Sequence, residues 1–438
     1  METPLGPRDA GHWVAVWTAM PQLTEEDNMP PEPFVSYIYT YRRQLLTMFC
    51  LLDQPNLALH NSTIRQTLRL TTGGQYLRIR ISNAFGLDEL QVTAVTISFP
   101  KGEVGQGPTG SQAIFTHTIQ ALTFSGQSSI EIPNGGLAVS DPVNFPVQPA
   151  QVITISIYLQ HGQTGGQVTG HPGSRTQTWM CHRDFTKKED MNDPSTKSTF
   201  HWYYISSVEA WQLKQNCAMV LIGDSLTDGR GSTDNGNDRW PDLLFNRMLE
   251  HPYARTISVL NQAAGGNRIL KDEKGPSVFS RLDRDIFAQP GVKYVMIFEG
   301  VNDIGTAGLD VASQTKIGDK LIMAYKQIIS RVHAFGIPVF GSTVGPFMAP
   351  DSAKQPYSVL MMEQTRQRIN TWIRESGAFD AIIDFDAVLR DPSDLTRLNP
   401  DLNSGDYLHP NVKAYHAMAR TFPLGIFEQF ANGVQTFQ

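Results

Sequence analysis

From about Trp13 to Ser207 the chain consists of short runs of β-branched and aromatic residues, broken by Gly, Pro and Asn. Residues 76–82 (YLRIRIS) alternate apolar and basic side chains with period two, the pattern of a strand with one buried face. Residues 92–98 (VTAVTIS) and 152–158 (VITISIY) repeat it. Several such strands with turn residues between them predict an all-β sandwich or jelly roll. The pattern changes after about Leu213. Apolar runs near 218–222, 256–261, 293–299, 337–343 and 381–384 now alternate with stretches whose apolar residues recur three and four apart, near 239–250, 277–288, 312–335, 357–376 and 411–431. Strands alternating with helices predict a parallel sheet covered on both faces, in a flavodoxin-like order that binds ligands beyond the carboxyl ends of the strands. The expected division is an accessory β unit over 1–213 and an α/β unit over 214–438.

Composition narrows the function classes. The 438 residues are 40% hydrophobic and 18% charged, as in a globular protein, with a formal net charge of -6. That balance and the lack of a basic stripe argue against nucleic acid as a partner. No apolar run approaches the ~18 residues needed to cross a bilayer. Residues 1–11 carry neither the basic nor the apolar region of a secretory leader, so the expectation is an intracellular protein, or a secreted one whose leader has been removed. Cys50, Cys181 and Cys217 allow one disulfide at most and have no metal-ligand spacing; no cofactor or metal is expected. The 28–33 segment (NMPPEP) and the polar 187–197 stretch read as exposed loops, with a lid or cleft rim as the alternative.

The candidate chemistry lies at the ends of the predicted parallel strands. The 218–222 run ends in Gly223-Asp224-Ser225-Leu226, which sets a serine on a strand-to-helix turn. A serine hydroxyl needs a base beside it and donors facing the developing oxyanion. Asp406 and His409, three apart in 405–411 (GDYLHPN), can supply a carboxylate that orients an imidazole base. The next strand ends in 261–268 (NQAAGGNR), where glycine lets a backbone amide approach a substrate closely. The one after ends in 298–304 (FEGVNDI), where the Asn302 amide can donate without ionising. Each signal alone has an ordinary structural explanation: a turn, an Asx motif or a capping aspartate. Their conjunction is what points to acyl transfer.

Taken together, Gly223-Asp224-Ser225-Leu226, Gly266, Gly300-Val301-Asn302-Asp303 and Asp406-Tyr407-Leu408-His409 resemble the four blocks of the SGNH hydrolases, the GDSL esterase and lipase superfamily. The resemblance spans roughly 217–425. It implies an SGNH fold with a catalytic triad of Ser225, Asp406 and His409, and an oxyanion hole of Ser225, Gly266 and Asn302. Many relatives carry a serine before the oxyanion glycine; here Gly265 fills that place, so either glycine could be the donor. Thr227, where a Gly-x-Ser-x-Gly elbow would have its second glycine, disfavours an α/β-hydrolase. Residues 82–86 (SNAFG), 140–143 (SDPV), 237–242 (NDRWPD), 275–276 (GP) and 404–410 (SGDYLHP) further resemble a bacterial and fungal group with a β-sandwich domain before the hydrolase.

The implied activity is hydrolysis of carboxylic esters through an acyl-enzyme, with short acyl groups such as acetyl expected, on small molecules or carbohydrates. The alternatives are a lipase, lysophospholipase or thioesterase for longer chains, and a carbohydrate-binding protein. Residues 229–234 (GRGSTD) lack the third glycine of a dinucleotide fingerprint, and 234–238 (DNGND) read as a turn before the helix at Pro241. Trp202, Tyr203, Tyr204 and Trp211 are expected to pack at the junction of the two units, with an aromatic sugar cleft as the alternative. Arg268 is expected either at substrate or paired with a carboxylate.

Overall fold

The computed structural model describes residues 11–35, 57–102, 107–350 and 355–436. Cys50 and most of the amino-terminal segment read above lie outside these residues.

Besides two smaller sheets of three and two strands, the first half is built on two large antiparallel sheets. One runs in the spatial order Gly11–Thr18, Ile205–Leu213, Gly74–Ser82, Val143–Val147, with Leu137–Val139 also on Gly74–Ser82. The second has six strands: Lys197–Thr199, Thr178–His182, Ser62–Arg69, Val152–Leu159, Ala94–Ser98 and Gln120–Ala121. Leu77, Ile79 and Ile81 of the first and Ile153, Ile155 and Ile157 of the second share one buried cluster, so the alternation seen in the sequence closes a sandwich. The second sheet is buried on its outer face as well. There the guanidinium of Arg65 donates to the carbonyls of Gln112, Phe185, Lys188 and Glu189 and holds a loop over it. Burial, opposed in part by nearby Cys181 and Asp190, lowers the Arg65 pKa to about 10.

The second half is a five-stranded parallel sheet in the order Ile257–Ala263, Cys217–Gly223, Val292–Phe298, Val339–Ser342, Ala381–Ile383. This is the flavodoxin-like order. Each strand falls within two residues of its predicted run. Two predicted helices are broken. The 277–288 stretch is a short α-helix, Val278–Leu282, followed by a π-turn, Asp283–Phe287, in which buried Asp285 meets both Arg281 and Arg284. The 411–431 stretch divides into Val412–Thr421 and Ile426–Gln429 around Pro423, whose ring cannot continue a helix.

The two halves are fastened by the Gly11–Thr18 strand. Val14 and Ala15 belong to the core of the parallel-sheet half, while Val16 and Trp17 belong to the sandwich. The Ala15 amide donates to Pro290 O at 3.0 Å, and Arg80 donates to Ala288 O at 2.9 Å. Trp202, Tyr203 and Tyr204 are buried in the sandwich core rather than all at the junction; Trp202 also meets the second half, its ring 5.7 Å from the Arg239 guanidinium, and Trp211 stacks edge-on against Trp13. Of the 28–33 segment, Glu32 and Pro33 are exposed, as the loop reading expects, while Met29 and Pro30 are buried and Asn28 lines a cavity, as its cleft-rim alternative has it.

Candidate active site

The Cys217–Gly223 strand is buried throughout and delivers the chain to a four-residue helix, Ser225–Asp228, too short for any periodicity to announce. Asp224 caps it, its side chain accepting the Leu226 amide at 3.0 Å. Ser225 is the first helical residue and is 7% exposed. Its Oγ lies 2.8 Å from His409 Nε2, and His409 Nδ1 lies 2.6 Å from Asp406 Oδ2. Asp406 Oδ1 also accepts the amides of Leu408 and His409, at 3.0 and 2.9 Å. Half-burial alone would raise the Asp406 pKa, but the hydrogen bonds from the His409 side chain and amide outweigh it and hold the carboxyl below its usual range. Asp406 therefore stays ionised and fixes the imidazole with Nδ1 as donor, leaving Nε2 to accept from Ser225.

The two glycines of 261–268 divide in role. The Gly265 amide is occupied, donating to Asp228 Oδ2 at 2.9 Å. Gly266 adopts φ +73, and among the described residues no protein acceptor takes its N–H. Gly266 lines the cavity, and glycine takes up this left-handed conformation without strain. Asn302 closes the site from the next strand end. Its Nδ2 donates to Asn267 O at 3.0 Å, and its Oδ1 accepts from the Tyr357 hydroxyl at 3.1 Å, so one N–H remains to face a ligand.

Several residues that position this geometry carried no functional reading from sequence. Asp303 accepts the amides of Ile269 and Leu270 at 2.9 and 3.0 Å and anchors the far side of the Gly266 loop. Asp228 anchors the near side and is itself held by His171 of the first half, whose Nε2 is 2.9 Å from Asp228 Oδ1 and whose Nδ1 is 3.1 Å from Met20 O. A Cβ on Gly173 would sit 1.7 Å from Asp228 Oδ2, so only glycine leaves room for that carboxylate. Asp303 is the last residue of the third recognised block and Asp228 lies just past the first; His171, Gly173 and Tyr357 are joined to the site only by the fold. Arg268 pairs with Glu273 and donates to Thr306 Oγ1 at 2.8 Å, which is the carboxylate-paired alternative.

Behind the serine lies a buried acidic group. Burial first, then the charges of Asp303 and Asp228, raise Asp224 to about 7. Burial raises Asp303 to about 6, and burial followed by the Asp224 charge raises Glu299 well above the carboxylate range.

Ser225, Gly266, Asn302, Asp406 and His409 all open onto one cavity of about 630 Å3. Its opposite wall comes from the first half, including Glu25, Asn28, Arg175, Phe200 and His201. A second cleft, of about 500 Å3, lies at the amino ends of the parallel strands around His12, Cys217 and Lys293, away from this chemistry. Among the described residues no group of three His, Cys, Asp or Glu could hold a metal ion, and Cys181 and Cys217 are buried free thiols.

The model of the GDSL-like Lipase/Acylhydrolase family matches residues 221–417. No curated protein matches the sequence. Solved structures similar to this chain include an acetyl xylan esterase from Geobacillus stearothermophilus, at 20% identity over 47% of this chain and 94% of the other with a TM-score of 0.36. They also include the psychrotrophic esterase EstA from a Pseudoalteromonas species, at 18% identity over 50% of this chain and 100% of the other, TM-score 0.36. A GDSL-like lipase from Bacteroides thetaiotaomicron is similar at 15% identity over 50% of this chain and 91% of the other, TM-score 0.36.

Proposed function

We propose, for a chain that belongs through residues 221–417 to the GDSL-like lipase and acylhydrolase family and is a carboxylic ester hydrolase, that Ser225 is the nucleophile and short acyl groups on polar alcohols are the substrate. The observation that carries this reading is the unbroken relay from Ser225 Oγ through both nitrogens of His409 to Asp406, at 2.8 and 2.6 Å. His409 takes the serine proton as Oγ attacks the ester carbonyl, and the Asp406 carboxylate stabilises the imidazolium that forms. The tetrahedral oxyanion is held by the amides of Ser225 and Gly266 and by Asn302 Nδ2, each worth roughly 3 kcal/mol when aimed at the developing charge. His409 then protonates the departing alcohol. Water, deprotonated by the same imidazole, releases the acid from the acyl-serine.

The preference for short acyl groups rests on the lining of the cavity. Beside the catalytic groups it presents charged and amide side chains, with Phe200 and Leu408 as its larger apolar members. A long acyl chain would need a continuous apolar groove. The division into 1–213 and 214–438 remains part of this proposal, with the first unit walling the cavity. The test is a panel of p-nitrophenyl esters from acetate to palmitate, run beside acetylated sugars on the wild-type protein and on Ser225→Ala. Turnover falling with chain length and lost in the variant is expected; faster hydrolysis of palmitate than of acetate would overturn the substrate reading.

A further inference from the structure

The catalytic cavity is lined by three carboxylates and three permanent cations, and among the described residues two of those cations lack an acidic partner. Three carboxylates border it, and each has a nitrogen partner: Asp406 meets His409, Asp228 meets His171, and Glu25 meets Lys274 at 3.5 Å. Two guanidiniums, Arg175 and Arg230, line the same cavity, and among the described residues neither pairs with an acid. The Nε of Arg175 is shielded from water and has no hydrogen-bond partner. Both residues have a fixed backbone. Arg175 is held at φ +52 with its carbonyl accepting the Asn235 amide at 2.7 Å. The Arg230 amide donates to Ser225 O at 3.0 Å, and its carbonyl accepts from the Tyr415 hydroxyl at 2.7 Å. A guanidinium that lines a cavity without an acidic partner can offer its terminal N–H groups to a bound oxyanion in charge-assisted hydrogen bonds.

We propose that the natural substrate is an acidic ester, whose alcohol part carries a carboxylate or phosphate that Arg175 and Arg230 bind. This rests on the reading of Ser225 as an esterase nucleophile with short acyl preference. An acetyl group has no place for a charge, which puts the anion on the alcohol. The same wall suits hydroxyl groups beside that anion. His201 donates Nδ1–H to Pro172 O at 2.7 Å, and burial lowers its pKa, so its Nε2 remains a neutral acceptor for a hydroxyl. The alcohol is accordingly a polyhydroxylated acid such as a uronate, or a sugar phosphate.

The experiment compares kcat/KM of the wild-type protein for acetyl esters of a neutral sugar, the matching uronate and the matching sugar phosphate, with p-nitrophenyl acetate as the reference. An acidic ester should be favoured on the order of tenfold at low salt, with the preference shrinking as ionic strength rises. Whichever acidic arm leads identifies the anion. Arg230→Gln, at an exposed side chain, and Arg175→Lys, which keeps a charge but not the planar fork, should each reduce the ratio of acidic to neutral turnover. Arg368→Gln, at a side chain outside the cavity that pairs with Asp319, should leave that ratio alone. Equal or faster turnover of the neutral sugar ester, with p-nitrophenyl acetate hydrolysed, would overturn the proposal and leave the esterase reading intact. Failure on p-nitrophenyl acetate itself would overturn both.

Discussion

Gly173→Ala tests whether the β half takes part in catalysis rather than merely adjoining it. The added methyl would lie 1.7 Å from Asp228 Oδ2 and 2.4 Å from its Cγ, whereas real Cβ contacts essentially never fall under 3.0 Å. The carboxylate must therefore retreat by more than an ångström. Two hydrogen bonds of 2.9 Å stand to break, one to His171 and one to the Gly265 amide that sets the Gly266 turn. Each involves a charged acceptor, worth about 1.5 to 3 kcal/mol. A displacement on the order of 1 Å in a catalytic group costs roughly a hundredfold in rate. The variant should therefore lose about thirty- to a hundredfold in kcat on p-nitrophenyl acetate, with a smaller change in KM. Overpacking costs ~1 to 3 kcal/mol, so circular dichroism and a melting curve must accompany the kinetics. Asp228→Asn should act in the same direction, because an amide cannot accept from both Gly265 and His171 as a carboxylate does. A folded Gly173→Ala protein with kcat within twofold of wild type would refute the reasoning that Asp228 positions the Gly266 amide.

Removing a side-chain oxyanion donor with Asn302→Ala should lower kcat by roughly a hundred- to a thousandfold, while Tyr357→Phe, which only releases Asn302 Oδ1, should cost about three- to tenfold. Equal losses in the two, measured on the same ester, would contradict the roles given. Asp224 and Asp303 are raised by burial to about 7 and about 6, against ~3.9 when unfolded. Between those values the folded state binds more protons than the unfolded one, so these groups make stability fall as pH rises from about 4 to 7. Asp224→Asn keeps an oxygen for the Leu226 amide and should flatten the slope of melting temperature over that window; an unchanged slope would show that Asp224 does not titrate there.

Much of this arrangement is legible in the sequence alone. The parallel strands announce themselves as continuous apolar runs because they are buried on both faces, and the residues that end them, Ser225, Gly266 and Asn302, follow at once. Asp406 and His409 are close in sequence, so their pairing needs little of the fold. The choice between Gly265 and Gly266 was not legible, since it depends on which amide Asp228 takes up. Helices of four or five residues, such as Ser225–Asp228 and Val301–Gly305, are too short to show a period. The cavity wall was hidden for a different reason. Arg175 and His201 join the cavity, and His171 meets Asp228, only through the packing of one half on the other, which no spacing along the chain records.

The central claim is that Ser225 carries the acyl group. Rapid quench of the wild-type protein with p-nitrophenyl acetate, followed by intact-mass and peptide mass spectrometry, should find one acetyl per chain, located on Ser225 and formed with a burst of nitrophenol. Ser225→Ala should show neither adduct nor burst. An acetyl group on another residue, or undiminished turnover in Ser225→Ala, would contradict the account.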